Sequence, residues 1–280
     1  MLDGLIFIDK EENMSSRKVD NYLGHLFNTR KIGHLGTLDP FATGLLIIGI
    51  NKGTKALPYL SDQDKTYLAT LKLGEKTSTL DYTGEILAKE IPSKLKEEEI
   101  INVLNSFLGV SYQIPPMVSA IKIDGKPLYK IAREGKEVER KERKIEVFSI
   151  SLVDYKDNKI TFLTKVSKGT YIRVLGEDIA KKLGTIGHLE SLRRLSVGPY
   201  QIKDAKKLKD IKVEDIKKVA NFIPLKHLAI DEKELKDVKN GKILKLNAKE
   251  EKVLLVFKKE AIAIYKRRED GYYEAERGLF

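Results

Sequence analysis

Apolar residues first cluster at Leu5 to Asp9 (LIFID), a short run that reads as a strand. Ser15 and Ser16 then offer an N-cap. Val19, Tyr22, Leu23, Leu26 and Phe27 follow at the spacing of one helical face. A glycine-punctuated polar loop, GHLGTLDPFATG, leads into Leu45 to Ile50, a continuous apolar run that reads as a buried strand. Tyr67 to Leu73 predicts another strand, closed by Gly74. Glu97 to Leu108 predicts an amphipathic helix, acidic in its first turn and stopped by Gly109. Two strands begin at Ile145 and Lys159. Ile172, Leu175, Ile179 and Leu183 then trace a helix ending at Gly184, and HLESLRRLSVG reads as a further strand. Many strands, few helices and no βαβ rhythm predict an α+β fold. Its core would be a large mixed, mostly antiparallel sheet flanked by helices, not a doubly wound one.

Two stretches break this pattern. Gln113 to Lys144 holds the Pro115-Pro116 break, the turn IDGKP, a short helix near Leu128 to Arg133 and a tail rich in charge. It reads as a long surface excursion with a net positive charge, and such excursions are usually functional or mobile. Gln201 to Phe222 is lysine-rich, helical in places, and reads as a connector. Beyond it, Asp231 to Glu234 has the form of a capping box. VLLVF, AIAIY and YYEAE then predict three strands of a small β-rich module. There is no internal repeat.

Composition narrows the classes. At 280 residues, 41% hydrophobic and 33% charged, the chain suits one large domain with a small one, and disorder is not expected. Zero cysteines exclude disulfides, iron–sulfur clusters and Cys-ligated zinc, and the four histidines lack metal-ligand spacing. No run is long enough to span a bilayer, and the N-terminus lacks signal-peptide features, so a cytoplasmic protein is expected. The net charge of +11 and pI of about 9.4 fit nucleic-acid binding, although a solvated Lys/Glu-rich surface gives the same balance.

Asp39 stands alone at the mouth of the apolar run. A lone Asp-Pro pair most often caps a turn. Here three glycines, Gly33, Gly36 and Gly44, surround it and would let backbone approach a ligand, and the following strand would hold the carboxylate rigidly. A carboxylate can act as a nucleophile, but it must stay ionised and so needs a cation or donors nearby. Arg173 is the candidate cation. A basic residue at a helix start opposes the helix dipole and therefore suggests an anionic partner. Tyr67 and Tyr171 fit either core or base-stacking roles. Lys55 fits a phosphate contact or a solvated lysine, and His34 a loop hydrogen bond or a ligand contact.

The ordered set of motifs is more specific. GHLGTLDPFATGLLIIGINKGTK, KTYLATLKLGEKTSTLDYTGE, QIPPMVSAIKIDGKPLYKIAREGKEV, VSKGTYIRVLGEDIAKKLG and LRRLSVGPY closely resemble the TruB family of tRNA pseudouridine synthases, over almost all of residues 1 to 200. The C-terminal module resembles, more weakly, the family's PUA-like RNA-binding domain. The resemblance implies a catalytic domain at 1–222 with an RNA-clasping insertion at about 113–144, and a PUA-like domain at 223–280. It implies isomerisation of the T-loop uridine, position 55 in standard tRNA numbering, without cofactor or metal. It places the catalytic acid on Asp39. Tyr67 would stack on the flipped uracil with Tyr171 close by. Arg173 would pair with Asp39 and with Asp81, and Leu192 would wall the pocket. His34 would touch the extruded nucleotide and Lys55 the adjoining backbone. Lys122, Lys126, Tyr129, Lys130 and Arg133 are the contacts expected in the insertion. LRRLSVGPY and the short C-terminal module look more like the stand-alone bacterial branch than the guide-RNA branch. The expected partner is therefore the tRNA T-stem-loop alone, bound by a monomer.

Other classes fit less well. A methyltransferase would need a GxGxxG loop after a strand, and a zinc deaminase would need Cys or His in ligand spacing. A non-catalytic RNA binder would have no use for Asp39.

Overall fold

The computed structural model describes residues 2–119, 121–123 and 125–280. Of Lys122, Ile123 and Arg133 it describes the backbone only. The first strand, β1, is Gly4–Lys10, and helix α1 is Ser16–Leu26, with Ser15 Oγ capping the Lys18 amide. Strands β2 (Ile32–Leu35) and β3 (Thr43–Ile50) bracket the Asp39 loop, so His34 lies on a strand and not in the predicted loop. Then come β4 (Lys65–Leu73), the small hairpin β5 (Glu75–Thr77) and β6 (Ile86–Lys89), α2 (Glu97–Asn105) and β7 (Gly109–Gln113). The excursion carries β8 (Lys122–Ile123), β9 (Lys126–Pro127) and the short helix α3 (Leu128–Arg133). It is followed by β10 (Arg143–Lys156), β11 (Lys159–Val166), α4 (Ile172–Lys182), β12 (Gly187–Val197), β13 (Tyr200–Gln201) and β14 (Lys206–Lys207).

The main sheet runs β14-β1-β3-β12-β4-β11-β10-β7, with β2 on β3 and β13 on β12. β1 with β14 and β3 with β12 pair in parallel; the other pairs are antiparallel. This is the large mixed sheet the sequence predicts. One face of it carries Ile6, Ile8, Leu46, Ile48, Ala69, Leu71 and Phe162. These pack against Val19 and Leu23 of α1, Ile100 and Leu104 of α2, and Leu175 and Ile179 of α4. No helix among the described residues is long and apolar enough to cross a membrane.

The connector is helical in places, as expected, but only as short 3-10 turns. Between Ile202 and Asn221 it forms short 3-10 turns and β14, and no α-helix. Its lysines alternate with Leu208, Ile211 and Val219, which are buried one at a time, so no continuous helical face exists to be buried.

A second sheet, β15 (Lys226–Ala229), β16 (Lys252–Phe257), β17 (Glu260–Arg267) and β18 (Tyr273–Gly278), follows with helix α5 (Glu232–Lys239). The capping box forms: the Glu234 amide donates to Asp231 Oδ1 at 2.7 Å, and the Asp231 amide to Glu234 Oε2 at 2.9 Å. Leu254, Ile264 and Leu279 of this module pack on Ala56, Val219 and Ile223, so it docks on the main body through a shared apolar cluster. Strand β15 carries no sequence signal because KHLA is a short, polar edge strand.

Candidate active site

Asp39 and Arg173 meet. Arg173 Nε donates to Asp39 Oδ2 at 2.9 Å and Nη2 to Asp39 Oδ1 at 3.1 Å, a bidentate fork. The guanidinium is 2% exposed, and two of its three remaining hydrogens go to the carbonyls of Thr79 (Nη1, 2.8 Å) and Val118 (Nη2, 2.8 Å). Asp81 Oδ2 lies 3.8 Å from Nη1, close enough for charge attraction. Asp81 is itself buried and spends Oδ1 on the hydroxyls of Thr79 and Thr83 and the Thr83 amide, which ties its own loop. The arginine is nearly saturated with acceptors and has little freedom to move.

About a third of the Asp39 side chain is open to solvent (33%). Its pKa is nevertheless raised. Desolvation is the largest cause and Asp81 adds to it, while Arg173 and Lys10 pull the other way. The arginine thus offsets only part of the burial cost. Arg173 helps to keep the acid charged, as expected, against a burial cost larger than its own effect.

The loop that carries Asp39 is held from three elements at alternate residues. Arg194 of β12 donates Nη2 to Gly36 O at 2.9 Å and Nε to Leu45 O at 2.8 Å. Ser16 of α1 grips Leu38 at both main-chain groups, accepting its amide at 2.9 Å and donating to its carbonyl at 3.1 Å. Lys10 of β1 reaches Pro40 O at 3.3 Å while also bonding Met14 O and Glu11 O. All three side chains are 1% exposed. Burial and the nearby Arg194 charge lower the pKa of Lys10 to about 8 despite the attraction of Asp39.

Sequence reasoning does not single out these three residues. Lys10 and Arg194 look like surface charges until the sheet places them. Arg193 and Arg194 are adjacent, but a strand turns successive side chains to opposite faces. Arg193 goes outward to a fork on Asp9, and Arg194 goes into the core.

The glycines serve the protein's own chain. Gly36 has φ +69° and Gly44 φ +105°, both in the left-handed region. Gly44 pairs in parallel with Arg194, and a Cβ there would lie 2.7 Å from the Arg194 main-chain nitrogen. The expectation that these glycines make room for a ligand is corrected for Gly44: the close approach is made by β12.

Tyr67 and Leu192 are nearly buried and share the core cluster with Leu38, Phe41 and Ile172. Tyr67 stands opposite Arg194 and Leu192 opposite Ala69, on adjacent strands. Tyr171 caps α4 from outside, its amide donating to Gln113 Oε1 at 2.8 Å and its carbonyl accepting from Gln113 Nε2 at 3.1 Å. Burial raises the Tyr171 phenol pKa. A cavity of about 520 Å³ is lined by Thr79 and Val118, whose carbonyls bind Arg173, and by Lys136, Arg140 and Glu177.

The other predicted contacts bond elsewhere than to Asp39 or Arg173. His34 bonds Asp20 and Thr37. Lys55 Nζ donates to Phe280 O at 2.9 Å, facing the C-terminal sheet. In the insertion, Lys126 pairs with Glu134, Lys130 is exposed, and the Tyr129 amide donates to Ser119 O. The side chains of Lys122 and Arg133 lie outside the described residues.

Residues 25–172 match the model of the TruB family pseudouridylate synthase N-terminal domain, and residues 173–228 that of the tRNA pseudouridylate synthase B C-terminal domain. The chain is 45% identical over 234 residues to tRNA pseudouridine synthase B of Francisella tularensis subsp. tularensis, covering 82% of this chain and 77% of that one. It is 46% identical over 235 residues to the protein of the same name from Francisella philomiragia subsp. philomiragia, with the same coverage. Among solved structures, the fold is similar to one in a Cbf5–Nop10–Gar1 complex (TM-score 0.75, 23% identity, 99% of this chain and 85% of that one). It is also similar to one in an H/ACA RNP bound to a substrate RNA containing 2′-deoxyuridine (TM-score 0.73, 21% identity, 99% and 85%). Two consecutive family models and close identity over most of the chain agree with the fold, and the protein belongs to the TruB family of pseudouridylate synthases.

Proposed function

We propose that the protein isomerises the T-loop uridine of tRNA, at position 55, to pseudouridine. One observation carries this reading: a single carboxylate, Asp39, is forked by a buried arginine on a loop pinned from three sides. The reaction breaks the N1–C1′ bond, turns the uracil, and joins C5 to C1′. C5 loses its hydrogen to solvent and N1 gains one, so no water is consumed and no second acid is required. The carboxylate either attacks the substrate or removes a ribose proton, and both routes need Asp39 ionised.

Tyr67 stacks on the flipped base in this reading, with Tyr171 at its edge and Leu192 as the apolar wall. Arg173 holds the acid, and Asp81 pairs with Arg173. His34 meets the extruded nucleotide. Lys55 exchanges its Phe280 contact for RNA backbone, and Lys126, Tyr129 and Lys130 of the insertion add contacts. Residues 1–222 act as the catalytic domain, with the insertion at about 113–144, and 223–280 act as a PUA-like RNA-binding module. The substrate is the tRNA T-stem-loop, bound in the cytoplasm by a monomer without guide RNA. The name shared by the relatives at 45–46% identity supports the tRNA assignment.

The test is tritium release from a T-stem-loop carrying C5-tritiated uridine. Release is expected from the wild type and a loss of at least about 10³-fold from Asp39→Asn, with RNA still bound. No release from the wild type would refute the activity, and full release from the variant would refute the role of Asp39.

A further inference from the structure

His34 is engaged at both ring nitrogens. Nδ1 lies 2.8 Å from Asp20 Oδ2, and Nε2 lies 3.1 Å from Thr37 Oγ1. Asp20, on α1, is 1% exposed, and its Oδ1 is buried with no hydrogen-bond partner among the described residues. Its other neighbour is the exposed Arg17, with Nη1 at a loose 3.5 Å from the same Oδ2. A buried carboxylate that leaves one oxygen unpaired therefore directs its short hydrogen bond to one imidazole.

The direction of each hydrogen bond follows from the groups. A carboxylate oxygen accepts, so the ring nitrogen facing it carries the hydrogen. A neutral imidazole protonated at Nδ1 has its lone pair on Nε2. The group facing Nε2 is the Thr37 hydroxyl, which then donates inward and turns its oxygen lone pairs outward. Thr37 is exposed and stands two residues before Asp39.

We propose that Asp20 is a positioning residue that fixes His34 in the Nδ1–H tautomer and so presents Thr37 Oγ1, at the mouth of the Asp39 site, as a hydrogen-bond acceptor. This rests on the reading of the His34 side as an RNA contact. An acceptor at this point takes a ribose 2′-hydroxyl or a base N–H and disfavours a phosphate oxygen.

The test uses full-length protein labelled with 15N at histidine and long-range 1H–15N correlation, with His34 identified by comparison with His34→Gln. The wild type should carry the ring hydrogen on Nδ1. Asp20→Asn, whose amide oxygen also accepts, should keep that signature, and Asp20→Leu should move the hydrogen to Nε2. In parallel, the Kd for a fluorescent T-stem-loop should rise about 5–10-fold in Thr37→Val, an exposed change that leaves the core intact. Asp20→Leu should raise Kd by a similar factor, and the double variant should not add the two effects. A wild-type His34 carrying a hydrogen on Nε2, alone or together with one on Nδ1, overturns the proposal, as does an unchanged Kd in Thr37→Val. Failure of tritium release with these results intact would refute the isomerase reading and leave the Asp20–His34–Thr37 assignment standing.

Discussion

Arg173 and Asp39 are 134 residues apart in sequence, yet two guanidinium nitrogens meet two carboxylate oxygens at 2.9 and 3.1 Å. The fork ties the N-terminus of α4 to the loop before β3, so the site exists only once β3 has paired with β12, the strand that follows α4.

The acid limb of the pH profile should sit above the ordinary aspartate value. In the proposed reaction the reactive form of Asp39 is the carboxylate, and burial raises its folded pKa above 3.8. Activity therefore falls as pH drops through that raised value. Asp81→Asn removes a carboxylate that pushes the same way and should move the limb to lower pH. Arg173→Lys weakens the opposing attraction and should move it to higher pH, with a loss in rate of about 10²-fold or more. Rate against pH for the three proteins checks the order, and a limb in the same place in all three would contradict it.

Lys10 should govern an alkaline limb. Its pKa is lowered to about 8, and it faces both Asp39 and the carbonyl of Pro40. As pH rises through about 8 the ammonium becomes an amine, its attraction for Asp39 disappears, and activity should decline. Lys10→Met should flatten this limb and lower stability by about 2–3 kcal/mol, because three carbonyls lose their donor. Urea denaturation of the variant and its pH profile together test the assignment.

Gly44→Ala should be among the most damaging small changes. The position has φ +105° and its Cα faces the Arg194 backbone. A methyl group there must part β3 from β12 and should cost about 3 kcal/mol or more, read as a lower urea midpoint with an unchanged slope. Gly109→Ala makes a useful contrast. Its φ is +92°, but among the described residues no atom lies within 4 Å of the added methyl, so only backbone strain enters, and about 1 kcal/mol is expected.

Lys126→Gln with Lys130→Gln should flatten the salt dependence of RNA binding. Every phosphate that a lysine no longer neutralises reduces the slope of log K against log salt by about 0.7–0.9. An unchanged slope would remove the insertion from the RNA interface.

Leu45 to Ile50 is readable as a continuous buried run, and Tyr67 to Leu73 as an alternation of buried and half-buried positions. The Asp39–Arg173 pair was legible through motif resemblance, since no local spacing links residues so far apart. The loop supports were not. Lys10, Ser16 and Arg194 gain their meaning from the pairing of β1, β3 and β12, which brings three distant polar side chains under one loop. Lysines at helical density in the connector carry no signal about whether an apolar face is available, so the pattern does not separate 3-10 turns from α-helix.

The pins at Gly36, Leu38 and Pro40 also bear on how the chain opens. A loop anchored by buried side chains from two strands and a helix has no cheap local opening, unlike most surface loops. The Leu38 amide, held by Ser16 Oγ, should exchange its hydrogen at the rate set by global unfolding. The segment proposed to be catalytic then shares the cooperativity of the sheet, and a partly folded chain would carry Asp39 without its fork to Arg173.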